Sequence, residues 1–96
     1  MTGEKTDIIQ ELYDLIIGRK EHPVEGSYTN YLFSKGTDKI SKKVGEEAFE
    51  VVIAAVGDKR EDMIYELADL QYHLLVLMAE KGITPEDVYA ELKNRR

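Results

Sequence analysis

The sequence predicts an all-α fold, a single-domain helical bundle of about five helices completed by dimerisation. Three observations carry that expectation. Apolar residues recur with helical spacing, and no alternating apolar–polar stretch survives anywhere in the chain. Caps and breakers punctuate the chain where helices would begin and end. Residues 51–56 and 74–78 are apolar all the way round a helix. Ninety-six residues suit one domain, spanning 1–96. A monomer of that size cannot cover both sides of two such helices, so a homodimer or higher homo-oligomer is expected. The alternative is that the chain's other helices do all the covering.

A first helix is expected over residues 4–17, with Ile8, Leu12, Leu15 and Ile16 on one face and Gly18 as its stop. Residues 18–27 read as a polar loop broken by Pro23 and Gly26. A short helix capped by Ser27 then ends near Gly36. Thr37 or Asp38 opens a long helix that runs to Val56 and stops at Gly57. Asp58, with Glu61 three residues on, resembles a capping box for a helix ending at Gly82. Thr84 followed by Pro85 is an N-cap with proline at the first helical position, and it predicts a last helix to about Asn94.

Composition excludes several functional classes. The net charge of −6 argues against nucleic acid or an anionic membrane as partner. The absence of Cys removes disulfides, thiolate metal sites and Cys nucleophiles, and fits a reducing cytosol. The N-terminal residues lack a basic-then-apolar signal pattern, and no apolar run approaches a membrane span. A cytoplasmic protein is expected.

The acids are not spread evenly by context. Pairs three apart are common in a chain with 19 Asp+Glu, among them Glu11/Asp14 and Asp58/Glu61. Glu47/Glu50 and Glu66/Asp69 differ because they lie inside the two most apolar stretches. On a helix, Lys39, Lys43, Glu46, Glu47 and Glu50 fall within a stripe about 100° wide, and Asp62, Glu66, Asp69 and His73 within one about 60° wide. Each stripe is flanked by hydrophobic faces. Desolvating an unpaired carboxylate costs several kcal/mol, and neither stretch supplies enough basic residues to offset it. Two helices joined by a short turn are antiparallel neighbours, so Glu46, Glu47, Glu50, Glu66 and Asp69 can converge on one point. Oxygen ligands of this kind favour Mg²⁺, with Mn²⁺ the other candidate, over Zn²⁺. A di-iron carboxylate bundle would need Glu-x-x-His in two helices, which the chain lacks. His73 either orients a carboxylate or is a satisfied core histidine. The plain alternative for the acids is a solvated charge stripe.

Upstream lies a basic island. Residues 34–45 hold four lysines, Lys35, Lys39, Lys42 and Lys43, against one acid, Asp38. Lysines leading into a carboxylate seam suit a polyphosphate, whose charge a divalent cation and ammonium groups share. The competing account is ordinary pairing of Lys43 with Glu47 and Lys42 with Glu46. Gly45 costs ~1 kcal/mol against Ala in mid-helix and suggests a close approach. With no Walker loop and no Ser/His/Asp set, the simplest nucleophile is a metal-activated water positioned by a carboxylate.

Ser27-Tyr28-Thr29, Gly36, Lys39-Ile40, Lys42-Lys43-Val44-Gly45-Glu46-Glu47-Ala48, Glu50-Val51, Glu66-Leu67-Ala68-Asp69-Leu70 and Tyr72-His73 together resemble phosphoribosyl-ATP pyrophosphohydrolase. That family belongs to the all-α NTP pyrophosphohydrolases, whose hallmark is Glu-x-x-Glu followed by Glu-x-x-Asp. The resemblance implies Mg²⁺-dependent hydrolysis of 1-(5-phospho-β-D-ribosyl)-ATP to the AMP derivative and pyrophosphate, in histidine biosynthesis. It implies metal ligation by Glu47, Glu50, Glu66 and Asp69, joined by Glu46, with Glu47 and Glu50 catalytic. It places Ser27, Lys39, Lys42 and Lys43 on the substrate. The cyclohydrolase often fused to this domain is expected to be a separate protein. Two other readings stand beside it: a superfamily enzyme acting on ordinary or damaged nucleotides, against which residues 27–36 argue, and a non-enzymatic metal-binding helical module.

Overall fold

The spine of the molecule is a helical hairpin, α3 (Thr37–Gly57) packed along α4 (Arg60–Lys81). α1 (Ile8–Glu21) lies on α4, α2 (Tyr28–Lys35) bridges α1 and α3, and α5 (Pro85–Asn94) rests against α1. The computed structural model describes residues 7–96, and these five helices leave no strand among them. No described helix is long and apolar enough to cross a membrane.

The core sits at one end of the hairpin. Tyr13 and Ile16 of α1, Leu32 of α2, Ile40 of α3, and Leu75, Val76 and Ala79 of α4 are buried together. Two polar contacts fasten this end. The Thr37 hydroxyl donates to Glu80 Oε2 at 3.0 Å, and Lys20 Nζ donates to the Ala79 carbonyl at 3.0 Å. The Asn30 amide closes the loop between α1 and α2. Its nitrogen donates to the Arg19 carbonyl, and its oxygen accepts from the Val24 N–H. A helix C-terminus leaves carbonyls without partners, and Asn30 satisfies one of them.

Three local expectations change. α1 does not stop at Gly18 but runs to Glu21. Gly18 stays helical and accepts from the His22 N–H. Arg19 and Lys20 in the last turn suit the negative end of the helix dipole, and Pro23 supplies the break. The expected start at residue 4 lies outside the described residues, as do most of those read for a signal pattern. Asp58 and Glu61 form no capping box. Asp58 adopts the left-handed region (φ 64°) and closes α3, with its N–H on the Ala54 carbonyl. The connection is so short that Lys59, extended and without a side-chain cap bond, must open α4. One residue cannot be both left-handed stop and extended start. Finally, the chain's own helices cover much of residues 74–78: Leu75 and Val76 are buried and Leu74, Leu77 and Met78 half-buried.

The remaining punctuation agrees. Ser27 caps α2 through the Asn30 N–H, and Gly36, at φ 88°, makes the turn into α3 that a Cβ would strain. Thr84 and Asp87 form a reciprocal capping box ahead of buried Pro85. Gly45 is exposed, and a Cβ there would meet nothing within 4 Å, so nothing among the described residues makes the close approach expected at it.

Candidate functional site

The acid seam runs along the α3–α4 interface from the packed end of the hairpin toward its turn. At the packed end Glu47, Asp69 and His73 present ligand atoms within 4.8 Å of one another. Glu47 is 8 % exposed, a carboxylate buried beside the core. Its partner is Lys43, 3.3 Å away and one turn earlier, which also reaches Glu46 at 3.6 Å. The pairing account of Lys43 therefore holds. Burial alone would lower the Lys43 ammonium, but Tyr28, then Glu47 and Glu46, outweigh it and raise the group above its ordinary value.

His73 is buried, and both its ring nitrogens are engaged. Nδ1 lies 2.8 Å from the Asp69 carbonyl, which can only accept, so Nδ1 carries the proton. In the neutral imidazole that leaves Nε2 to accept from the Tyr28 hydroxyl at 2.8 Å. Burial, and after it Asp69 and Glu47, raise the Tyr28 hydroxyl against the lowering effect of Lys43, which suits a donor that keeps its proton. Nδ1 is also 3.4 Å from Asp69 Oδ1. With no lone pair to spare, His73 acts on the seam by fixing Asp69 from behind.

Toward the turn the seam opens. Glu50 is exposed and Glu66 half-buried, and with Asp62 and Lys59 they line a shallow cleft of about 320 Å³. Desolvation, followed by repulsion from Glu50, Glu47, Asp69 and Asp62, raises the Glu66 carboxyl above its ordinary value. No ion pair reaches Glu50 or Glu66 among the described residues. Excess negative charge held between two helices with a single lysine on its buried member is what a bound cation would relieve.

The structure thus brings Glu47, Glu50, Glu66 and Asp69 onto one seam, and sets Glu46 at its exposed flank beside Lys43. Lys42 is exposed and has no ion-pair partner among the described residues, Glu46 included. Ser27 spends its hydroxyl on the cap of α2, although it also lines the cleft beside that helix. Two residues were not expected at the site. Asp62 lies one turn before Glu66 on the stripe already visible in the sequence. Tyr28 gave no such signal, because its approach to His73 depends on how α2 packs across the hairpin. Thr29 beside it bonds the Tyr72 hydroxyl, which pins α2 to α4.

Residues 9–96 match the family model described as phosphoribosyl-ATP pyrophosphohydrolase. The chain belongs to that family. It is 64 % identical over 88 residues to the phosphoribosyl-ATP pyrophosphatase of Listeria monocytogenes serotype 4a, covering 92 % of this chain and 84 % of the relative. The protein of the same name from Clostridium acetobutylicum is 54 % identical over 92 residues, 96 % of this chain and 84 % of its own length. The histidine biosynthesis bifunctional protein HisIE of Caldanaerobacter subterraneus is 58 % identical over 94 residues, 98 % of this chain. The chain spans less than half the length of the bifunctional relatives it matches.

Proposed function

We propose that this protein hydrolyses 1-(5-phospho-β-D-ribosyl)-ATP to 1-(5-phospho-β-D-ribosyl)-AMP and pyrophosphate in the cytoplasm, as a step of histidine biosynthesis, with Mg²⁺ (or Mn²⁺) held by the acid seam. The observation that carries it is the convergence of Glu47 and Asp69 on a point where His73 offers no free nitrogen. Such a donor set is made of hard oxygens, which suits Mg²⁺. Glu47, Asp69, Glu50 and Glu66 would hold the ion, with Glu46 at the flank. Bound there, it would neutralise phosphate oxygens and acidify water.

The chain's own groups divide the rest of the work. His73 fixes Asp69 through the backbone and carboxylate, and Tyr28 fixes His73. Lys43 balances Glu47 in the resting protein. With Glu47 engaged by a cation, the Lys43 ammonium would be available to a phosphate, with Lys39 and Lys42 as further basic groups for substrate. Ser27 sets the start of α2 and so the position of Tyr28. Glu50 is exposed at the open part of the seam, where it can orient the attacking water and take its proton.

The same proposal includes a homodimer. Phe49, Val52, Ile53 and Val56 of α3 and Ile64, Tyr65 and Leu67 of α4 are exposed on the turn half of the hairpin, Val56 at 82 %. An apolar surface of this extent beside the seam is expected to be covered by a second copy. The test of function is pyrophosphate release from phosphoribosyl-ATP, with ATP as control substrate and chelator as control for the metal. Release from phosphoribosyl-ATP, abolished by chelator, supports the assignment. Equal turnover of ATP favours the broader nucleotide enzyme, and no turnover of either favours a non-enzymatic module.

A further inference from the structure

One row of side chains leading away from the acid centre has no part in holding a metal. Tyr28 places its hydroxyl on His73 but turns its ring toward Tyr31, with centroids 6.3 Å apart and planes 25° from parallel. Two ammonium groups stand over the Tyr31 ring, Lys35 Nζ at 5.7 Å and Lys39 Nζ at 5.9 Å from its centroid. The turn at Gly36 creates the meeting, because it folds the last turn of α2 back against the first turn of α3. Neither lysine has an ion-pair partner among the described residues, although the chain carries 19 acids against 13 lysines and arginines. Like charges gathered on one ring repel. The attraction of each to an exposed ring is worth only about 0.5–1 kcal/mol. An anion within reach of both would replace that repulsion with charge-assisted hydrogen bonds.

Beside this row lies an open cleft of about 980 Å³, lined by Pro23, Val24, Tyr28, Tyr31 and Phe33. Its size and aromatic wall suit a flat heterocycle. The geometry points to a second anion subsite, in which Lys35 and Lys39, gathered by Tyr31, hold the phosphate of the N-linked phosphoribosyl group while the purine lies against Tyr28 and Tyr31. The inference rests on the proposed function. Phosphoribosyl-ATP carries phosphate at two ends of one base: the triphosphate and the ribosyl 5-phosphate. The seam and Lys43 serve the first end, and Lys35 and Lys39 serve the second. ATP has no second end, so this subsite makes the enzyme prefer phosphoribosyl-ATP. It also narrows the role of Lys39 among the three basic residues expected at the substrate, and adds Lys35.

The test compares two ligands in Lys35→Ala, Lys39→Ala, Tyr31→Leu and Tyr31→Phe proteins of parental melting temperature. Pyrophosphate release from phosphoribosyl-ATP gives kcat/KM, and competitive inhibition by ATP reads the triphosphate and the purine without the second phosphate. Each lysine variant should lose about 10-fold in kcat/KM, mainly through KM, with the ATP inhibition constant within about twofold of the parent. Tyr31→Leu should lose kcat/KM as the lysine variants do and also raise the ATP inhibition constant, because ATP shares the purine, whereas Tyr31→Phe, which keeps the ring, should retain both. Equal weakening toward both ligands would put these lysines on the triphosphate and overturn the subsite. So would unchanged kcat/KM in the lysine variants. A parent protein that releases no pyrophosphate from phosphoribosyl-ATP overturns the proposed function and the subsite together, whereas an active parent with unchanged variants overturns the subsite alone.

Discussion

At one end of the α3–α4 hairpin, Ile40, Leu75, Val76 and Ala79 lie under α1 and α2 with almost no exposure. At the other end, near Asp58, Phe49, Val52, Ile53, Val56, Ile64 and Tyr65 face outward, half or more exposed. The two ends have similar apolar content, so composition does not separate them. What differs is that α1, α2 and α5 all gather at one end. The acid seam crosses from the covered end to the bare one, and its members change character along the way. Glu47 is buried and paired, Asp69 and His73 are tied by hydrogen bonds, and Glu50 lies open. On the proposed function, the covered half would supply fixed ligands, and the bare half would supply access for substrate and a face for a second copy.

Matched truncations at the two ends give the largest contrast. Ile40→Ala should cost about 2–5 kcal/mol in chemical denaturation, at any protein concentration, because it leaves a cavity in the packed end. Ile53→Ala should stay within about 0.5 kcal/mol of the parent if the chain is a monomer. In the expected dimer its cost should grow at high protein concentration, and Val56→Glu should shift light scattering toward monomer. A parent that scatters as a monomer at all concentrations breaks the comparison at its bare end.

Metal binding should come next in size. A ligand bound to the folded state alone adds about 2.7 kcal/mol at 100 times its dissociation constant. Melting temperature in substrate-free protein should therefore rise with Mg²⁺ or Mn²⁺. The rise should shrink more in Asp69→Asn, at the fixed end, than in Glu46→Gln at the exposed flank. An equal loss in both would show that burial does not rank the ligands.

The smallest effect is electrostatic. Glu66 titrates above its ordinary value of 4.5 in the folded protein, first through desolvation and then through Glu50 and its other acidic neighbours. A raised folded-state value means that its contribution to stability is present below the ordinary value and is lost as pH rises through the raised one. Without metal, Glu66→Gln should melt higher than the parent at neutral pH, and the gain should vanish as pH falls toward 4.5. With saturating Mg²⁺ the order should reverse, because the variant gives up a ligand.

Much of this was legible in the sequence because the relevant signals are local. Ser27 and Thr84-Pro85 mark helix starts through side-chain caps, Gly36 and Gly82 mark ends through positive φ that few residues tolerate, and the structure uses each of them. The acid stripes were legible because helical spacing alone sets which side chains share a face. Four features were not. The end of α1 depended on Asn30, from another helix, satisfying the Arg19 carbonyl. The closure of α3 by Asp58 followed from the shortness of the turn. The covering of residues 74–78, and Tyr28 on His73, are tertiary outcomes of where α1 and α2 lie. An all-round apolar segment looks the same in sequence whether its own chain or a second copy covers it.

The central claim is that the seam of Glu47, Glu50, Glu66 and Asp69 is the catalytic metal centre. It is tested most directly by pyrophosphate release from phosphoribosyl-ATP, in the presence of Mg²⁺, by the parent, Glu47→Gln and Asp69→Asn proteins, each checked for helix content and melting temperature. Amides remove charge while nearly keeping shape, so the variants should stay folded and lose about 100-fold or more in turnover. Folded variants that release pyrophosphate at the parental rate would contradict the claim.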